Sequence, residues 1–318
     1  MDQKTSPQNK SKKLSFFLGI VLGSILAIGS VFFLVSSFLH HYSVTPTSIP
    51  TLIALHKQDF KREMKDDKKK DISVIETPST SPLRSVSSPQ KPNKASLALV
   101  FVGVGPDTKT LLRALKVFPK QVSFSFAPFT PEVSEWILKV HQRGFEVLLD
   151  LPLESAEFPQ LNKGPYTLLK DAPESENLSK LALILEKGHG EIVGLYGFMG
   201  SRICNSKKDM YPILKTLKKK GYMFLGHKTP HSCIKPLSQL LNLPYVPTTQ
   251  FLEGDESEEN LKENLQNLEN KARKQGVVVG VAYLQEASFE TLKMWLETLH
   301  ERDITLIPVS KTSQGGAS

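Results

Sequence analysis

Short apolar runs alternate with amphipathic helix patterns over the C-terminal part of this chain, and this alternation constrains the fold more than any other feature. The first run, residues 97–104, is continuously apolar, as expected for a parallel strand buried on both faces. The helix patterns between the runs end at glycine or proline, for example at Gly188 and Gly221. Seven or eight such strands predict a mostly parallel α/β fold, and a length of about 215 residues favours an irregular (β/α) barrel over an open sheet.

The N-terminal segment 14–39 contains no charged residue. A helix over it would be roughly 39 Å long, enough to cross a hydrocarbon core of about 30 Å. The first lysine after it is Lys57, whereas four precede it, namely Lys4, Lys10, Lys12 and Lys13. The positive-inside rule therefore predicts a single-pass inner-membrane protein with residues 1–13 in the cytoplasm and the following domain in the periplasm or otherwise extracytoplasmic.

Residues 40–95 combine a run of charges with a Pro/Ser/Thr-rich stretch. Such a composition buries too little apolar surface to offset chain entropy, so we predict a flexible stalk. An alternative is that its lysines contact anionic lipid headgroups or an anionic envelope polymer. The barrel is then expected at 96–310, followed by a short tail at 311–318.

The net charge of +8 by itself suggests nucleic-acid binding, but the distribution of the charges along the chain does not support it. Residues 1–95 hold 14 Lys and Arg against 7 Asp and Glu, while residues 96–318 hold 26 against 25. A domain that binds nucleic acid needs a basic face, and the predicted barrel is nearly neutral. We therefore predict no nucleic-acid partner.

Five stretches occur in the order typical of one family: SLALVFVGVG, SFAPFTP, FEVLLDLPLE, GLYGFMGSR and LHERDITLIPVS. In this combination the chain resembles the divergent polysaccharide deacetylase family over residues 96–310. The resemblance implies an irregular (β/α) barrel of the carbohydrate esterase superfamily. It also implies a role in carbohydrate metabolism of the cell envelope, through zinc-assisted hydrolysis of the acetamide carbon–nitrogen bond of N-acetylated glycans.

The positions that the resemblance assigns to metal ligands and proton transfer are substituted in this chain. They are occupied by Val102, Gly103, Asp150, Phe198, Gly226 and Tyr283. Metal-assisted amide hydrolysis needs about three protein ligands and a carboxylate base, which this set does not provide. The leading interpretation is therefore a glycan-binding pseudoenzyme with no catalytic residues of the family type, no metal and no cofactor.

Two alternatives remain open from the sequence. The first is an active de-N-acetylase with a rebuilt site, formed by Asp150, His227 and His231, with zinc as its cofactor. His227 and His231 have a spacing that places both on one face of a helix, but Pro230 between them disfavours a regular helix. The second alternative is a structural module that binds an envelope protein.

Some residues of the predicted barrel end do match the family pattern, among them Glu154, Met199, Ser201 and Arg202. They predict either a groove for a glycan or an anionic ligand, with Arg202 as hydrogen-bond donor, or a loop needed to close the barrel. Tyr196, with Phe198 and Tyr283, would suit stacking on a sugar ring; the alternative is that these rings fill the emptied metal pocket.

The two cysteines, Cys204 and Cys233, form neither a disulfide framework nor a zinc signature. If the loops after the fourth and fifth strands are neighbours, the two residues could approach the distance of about 5.5 Å between Cα atoms that a bridge requires. An extracytoplasmic location would favour such a disulfide.

Overall fold

The computed structural model describes residues 95–105, 107–160, 162, 164–198, 200–227, 231–252 and 257–316. The predicted cytoplasmic segment 1–13, the anchor 14–39 and, apart from Ala95, the stalk 40–95 lie outside these residues. Within the described ranges, no helix has both the length and the apolar character needed to cross a bilayer.

The described part of the chain contains one nine-stranded sheet. Its strands are β1 Ala95–Val104, β2 Ser123–Phe126, β3 Glu146–Pro152, β4 Gly194–Phe198, β5 Met223–His227, β6 Tyr245–Thr248, β7 Gln250–Leu252, β8 Val277–Tyr283 and β9 Ile304–Leu306. The helices are α1 Thr108–Val117, α2 Val133–His141, α3 Glu174–Lys187, α4 Lys207–Lys220, α5 Ile234–Leu241, α6 Glu258–Gln275 and α7 Glu286–Glu297. Short 3₁₀ helices cover Ile203–Asn205, Leu299–Arg302 and Val309–Gly316.

The sheet order is β6-β5-β4-β3-β2-β1-β8-β7, with β9 also paired to β1, and every paired strand is parallel. The two end strands, β6 and β7, are joined by Thr249 alone. Thr249 is itself fixed to β8, because its N–H donates to Val279 O at 2.8 Å and its hydroxyl accepts from Val279 N at 3.0 Å. The β6–β7 segment is thus one bent strand that leaves β5 and joins β8. With β6 and β7 counted separately, this nearly closed ring of eight strands confirms the predicted parallel barrel.

The barrel has two core layers, which the alternation along β1 separates. Ala98, Val100 and Val102 point into the barrel, whereas Leu99 and Phe101 point outward against the helices. All five are buried. This explains why the strand is apolar at every position, since both of its faces are removed from water.

Helix α4 ends at Lys220, directly before the predicted stop at Gly221, and both of its ends carry strong local signals. The hydroxyl of Ser206 accepts a hydrogen bond from Asp209 N at the N-terminus. Gly221 follows the last turn with φ of 78°, a left-handed conformation that favours glycine.

The pair Thr130-Pro131 predicts a helix that starts at residue 131 with Thr130 as its N-cap, and this prediction is wrong. The helix begins at Val133, and Glu132 occupies the N-cap position with φ of 53°. Thr130 instead turns its hydroxyl toward Val104 O, at 3.4 Å, and so ties the β2–α2 loop to the end of β1.

The ends of the predicted barrel also differ slightly from the structure. β1 begins at Ala95, one residue before the predicted boundary. The 3₁₀ helix Val309–Gly316 extends into the predicted tail 311–318, and Ser310 hydrogen-bonds Glu146 on β3 through both its N–H and its hydroxyl.

Candidate functional site

The C-terminal ends of the parallel strands meet at one end of the barrel, where loops carry the site in folds of this kind. Several inward-pointing side chains gather there: Val102, Ser125, Asp150, Tyr196, Phe198, His227 and Tyr283. Of the predicted positions, the structure therefore brings Val102, Asp150, Tyr196, Phe198, His227 and Tyr283 to this end.

Asp150 is the buried carboxyl of this end, with 2% of its surface exposed. Its Oδ2 accepts a hydrogen bond from Gly103 N at 3.0 Å, and its Oδ1 accepts one from the hydroxyl of Ser125 at 2.5 Å. Burial raises the pKa of Asp150 to about 7, although both hydrogen bonds act to lower it. The carboxyl therefore titrates near neutrality while both of its oxygens are engaged by the protein.

A second polar group runs from β4 to β6. The hydroxyl of Tyr196 lies 2.9 Å from His227 Nε2, and His227 Nδ1 lies 2.7 Å from Thr248 Oγ1. Tyr196 is fully buried and His227 partly so. Both ring nitrogens of the histidine are thus committed to neighbouring hydroxyl groups.

Apolar and aromatic side chains fill the space around these polar groups. Val102, Phe198 and Tyr283 are 1%, 8% and 7% exposed. The ring of Tyr283 packs edge-on against Phe251 at a centroid distance of 5.1 Å. It also covers the backbone of Gly103, because a Cβ added at that glycine would lie 3.4 Å from the tyrosine ring.

Burial also raises the pKa of the Tyr283 hydroxyl well above its usual value. The neighbouring Tyr196 and Asp150 act in the same direction, because negative charge on either would repel a tyrosinate. Tyr283 is therefore a neutral hydroxyl at physiological pH.

The residues at this end do not fit the zinc ion that the family resemblance implies. Val102, Gly103, Phe198 and Gly226 have no ligating side chain, and zinc is held in proteins by Cys, His, Asp or Glu. Across the described ranges, no three or more residues of these types are grouped closely enough to hold a metal ion.

The described residues therefore do not group Asp150, His227 and His231 as a metal set, and the rebuilt site stays a prediction. The physical reason is placement: Asp150 lies inside the barrel, whereas His231 is exposed on the loop before α5.

The predicted ligand residues Glu154 and Arg202 join two loops at the C-terminal end. Arg202 Nη1 donates to Glu154 Oε1 at 2.9 Å, and Lys170 N donates to Glu154 Oε2 at 2.5 Å. The backbone N–H groups of Arg202 and Ile203 both donate to Glu154 O at 3.2 Å. The Glu154 side chain is buried, while that of Arg202 is 49% exposed.

Ser201 holds the same loops together, because its hydroxyl accepts a hydrogen bond from Ala156 N at 2.9 Å. Met199 lies outside the described residues. Glu154 and Ser201 thus join neighbouring loops, and both predictions for these residues, a ligand groove and a loop needed to close the barrel, stay open.

Cys204 and Cys233 are neighbours, because Cys233 N donates to Cys204 O at 2.8 Å. No disulfide joins them in the structure. Cys233 is buried, and burial raises the pKa of its thiol to about 11.

Ser125 and Thr248 contribute to the site but do not stand out in the sequence. The signal for Ser125 is its place in the run Ser123–Phe126, where serine alternates with phenylalanine inside a buried strand. A hydroxyl at an inward position of such a strand needs a buried partner. For Thr248 we find no comparable signal.

The fold and the site together define a class of protein: a parallel (β/α) barrel whose polar and aromatic side chains meet at the carboxyl ends of its strands. Residues 99–313 match the family model for divergent polysaccharide deacetylases. The chain belongs to this family.

The chain is also similar to a curated relative and to solved structures. The uncharacterized protein YibQ of Escherichia coli (strain K12) is 22% identical over 229 residues, which cover 72% of this chain and 70% of YibQ. The crystal structure of an uncharacterized protein from Agrobacterium tumefaciens C58 is 25% identical, has a TM-score of 0.65, and covers 69% of this chain and 89% of its own. The catalytic domain of peptidoglycan N-acetylglucosamine deacetylase from Eubacterium rectale ATCC 33656 is more distant, at 17% identity and a TM-score of 0.41, covering 69% and 90%.

Proposed function

We propose that this protein is a membrane-anchored, extracytoplasmic member of the divergent polysaccharide deacetylase family that binds glycan without hydrolysing it. One observation carries the proposal: apolar side chains fill the places where the family would hold metal and base. Val102, Phe198 and Tyr283 all lie in the buried inner layer of the barrel.

The remaining carboxyl is poorly placed to act as a general base. A base must come within hydrogen-bond reach of the proton that it abstracts from a substrate or water. Asp150 is buried, and its two oxygens already accept hydrogen bonds from Ser125 and Gly103. Its raised pKa therefore reflects burial in the core and gives no evidence of catalysis.

Two exposed side chains near the C-terminal end of the barrel suit glycan binding. Phe129, on the loop after β2, is 42% exposed, and such a ring can stack on the apolar face of a pyranose. Arg202 follows β4 and presents the part of its guanidinium not bonded to Glu154 toward solvent. Its donors would bind hydroxyl or carboxylate oxygens of a cell-wall glycan.

The anchor is the other part of the proposal. The uncharged segment 14–39 would hold the chain in the membrane, with the barrel on the extracytoplasmic side near the envelope glycan. An envelope protein is the competing partner.

The experiment combines activity and binding on the purified full chain. We expect no acetate release from N-acetylated oligosaccharides or peptidoglycan fragments, but retention of the chain on insoluble peptidoglycan. Retention should fall several-fold in Phe129→Ala and in Arg202→Ala. The matched control is Leu183→Ala, which removes an equally exposed apolar side chain from α3.

The outcomes separate the alternatives. Acetate release that disappears in His227→Ala would show an active enzyme with a rebuilt site and overturn the proposal. Retention that is absent, or unchanged in both loop variants, would rule out glycan binding by these residues and favour the protein-binding module.

A further inference from the structure

Helix α4 carries an unusual concentration of positive charge. Between Lys207 and Lys220 it contains six lysines and one acidic residue, Asp209. Asp209 does not neutralise the surface, because it is buried and accepts hydrogen bonds from the hydroxyl of Ser206 and from Asp171 N. The solvent-facing side of this helix is thus basic throughout.

Three of these lysines form a line, which we call the lysine stripe: Lys208, Lys215 and Lys219. With Tyr211 they occupy positions i, i+3, i+7 and i+11, which lie on one face of an α-helix. All four side chains are exposed. The opposite face of the helix, which includes Ile213, is buried against the barrel, so the stripe points directly outward.

The stripe is not balanced by ion pairs in the part of the chain that the structure describes. Other helices behave differently; on α6, for example, Lys262 pairs with Glu258 at 2.8 Å. On α4 the ammonium group of Lys215 lies 5.7 Å from the centroid of the Tyr211 ring. Uncompensated charge of one sign on one helix face favours an oppositely charged surface as its partner.

We propose that the lysine stripe docks the barrel on an anionic phospholipid surface. The charges lie along a line of roughly 16 Å, which suits a flat array of phosphate groups rather than one small anion. Tyr211 adds an amphipathic ring of the kind found at membrane interfaces.

The neighbouring helix α5 packs against α4 and carries the exposed Lys235. Leu240 on the same helix is 69% exposed, the most exposed large apolar side chain of the described residues.

The predicted anchor and stalk favour a lipid surface over a soluble polyanion as the binding partner of the lysine stripe. If residues 14–39 are anchored, a stalk of about 56 residues would confine the barrel to within its extended length of roughly 190 Å from the membrane. Intramolecular docking then needs little intrinsic affinity, because the tether raises the effective concentration. This surface is on the outside of the barrel, so the inference does not depend on glycan binding at the strand ends.

The test measures lysine acetylation on the full chain with nanodiscs of phosphatidylcholine alone or of equal parts phosphatidylcholine and phosphatidylglycerol. We expect acetylation of the lysine stripe to slow several-fold with the anionic lipid only, and to recover in high salt, since charge attraction is screened within about 10 Å at 0.1 M salt. Lys109, Lys116 and Lys274, exposed on α1 and α6, should react equally with both lipids.

A triple variant with Lys208→Gln, Lys215→Gln and Lys219→Gln removes the charges of the lysine stripe and keeps Tyr211. It tests whether these charges are needed for contact with the lipid. Hydrogen exchange of the α4 backbone should become independent of lipid composition in this variant, while Lys109→Gln, Lys116→Gln and Lys274→Gln together should retain the dependence. Equal acetylation of the stripe with both lipids would overturn the proposal. Protection by soluble polyglutamate but not by anionic nanodiscs would also overturn it, and would identify a polymer as the partner.

Discussion

Asp150 on β3 and Tyr196 on β4 are register partners in the parallel sheet, so both side chains point into the barrel at the same level. The carboxyl therefore lies beside an aromatic ring with no access to bulk water. Its two hydrogen bonds, from Ser125 and from Gly103 N, stabilise the charged form but do not offset the cost of burial. This arrangement predicts how the stability of the barrel depends on pH.

Replacing Asp150 with Asn should stabilise the barrel above neutral pH. The pKa of Asp150 is about 7 in the folded protein, against 3.8 for an unburied carboxyl. The unfolded chain loses its proton first as the pH rises, so the carboxyl destabilises the fold progressively between about pH 4 and pH 7 and by a constant amount above that. At 1.36 kcal/mol per pKa unit, the full effect is about 4 kcal/mol.

Urea unfolding at a series of pH values checks this prediction. Both tryptophans, Trp136 and Trp295, lie in the barrel, so their fluorescence reports its unfolding in the full chain. The difference in unfolding free energy between Asp150→Asn and the parent protein should grow from pH 4 to pH 7 and then level off. A difference that shrinks with rising pH would mean that the carboxyl has a lowered pKa in the folded protein.

The two cysteines should differ strongly in their reaction with iodoacetamide. The pKa of Cys233 is about 11 and the residue is buried, so at pH 8 very little of its thiol is ionised. We expect Cys233 in the native protein to react much more slowly than Cys204, and both to react at similar rates after denaturation. Peptide mass spectrometry measures the extent of alkylation at each cysteine. The variants Cys204→Ser and Cys233→Ser serve to assign the two signals. Failure of both to react in denaturant without a reductant would reveal the disulfide that the structure lacks.

Much of the fold is visible in the sequence because its parallel strands are buried on both faces. The bounds of β3 follow from its apolar run, and those of α4 from Ser206 and Gly221 at its ends. β7 was not predicted, because Gln250–Leu252 is short and is separated from β6 only by Thr249, so the two strands form one bend. Bends of this kind depend on pairing with β5 and β8, which local sequence does not specify.

The site was harder to predict than the fold. The family resemblance predicts Asp150 and Tyr196 at the strand ends, with His227 next to the family position Gly226. Their actual partners, Ser125 and Thr248, depend on the register between strands. His231 was grouped with His227 from spacing along the chain, whereas the loop leaves it exposed.

Glu154 should contribute mainly to stability. Its buried carboxylate accepts hydrogen bonds from Arg202 and from Lys170 N, so Glu154→Ala leaves both donors without this partner. Hydrogen bonds to a charged group contribute about 1.5–3 kcal/mol, and the half-exposed Arg202 is rehydrated in this variant, so we expect a loss in that range. Ser201→Ala removes a single hydrogen bond to Ala156 N and should cost about 1 kcal/mol.

Tryptophan fluorescence during urea unfolding measures both variants of this loop, and Arg202→Ala serves as the comparison. Arg202→Ala leaves the buried Glu154 carboxylate without its cationic partner, so it should lower stability as well as glycan retention. A Glu154→Ala protein as stable as the parent would show that the loops do not depend on this carboxylate.

Introducing acidic residues at the end of β1 should not create a metal site. Gly103 has φ of 63°, where side chains are disfavoured, and a Cβ there would contact the Tyr283 ring at 3.4 Å. Val102 is buried, and Gly103 N is bonded to Asp150, so new carboxylates at 102 and 103 would add negative charge beside an existing buried carboxyl. We expect the double variant Val102→Asp and Gly103→Asp to lose several kcal/mol of stability at pH 8. The loss should be smaller at pH 5, because buried carboxyls with raised pKa values are protonated there.

Unfolding by urea at both pH values, with metal analysis of the purified full chain, decides this prediction. Gly103→Ala is the control for backbone strain and space without charge, and it should be destabilised equally at both pH values. Bound zinc at one equivalent in the double variant would show that the barrel still accommodates a metal. In that case Phe198 and Tyr283 do not block the site, and loss of the ligands alone would explain the difference from the family pattern.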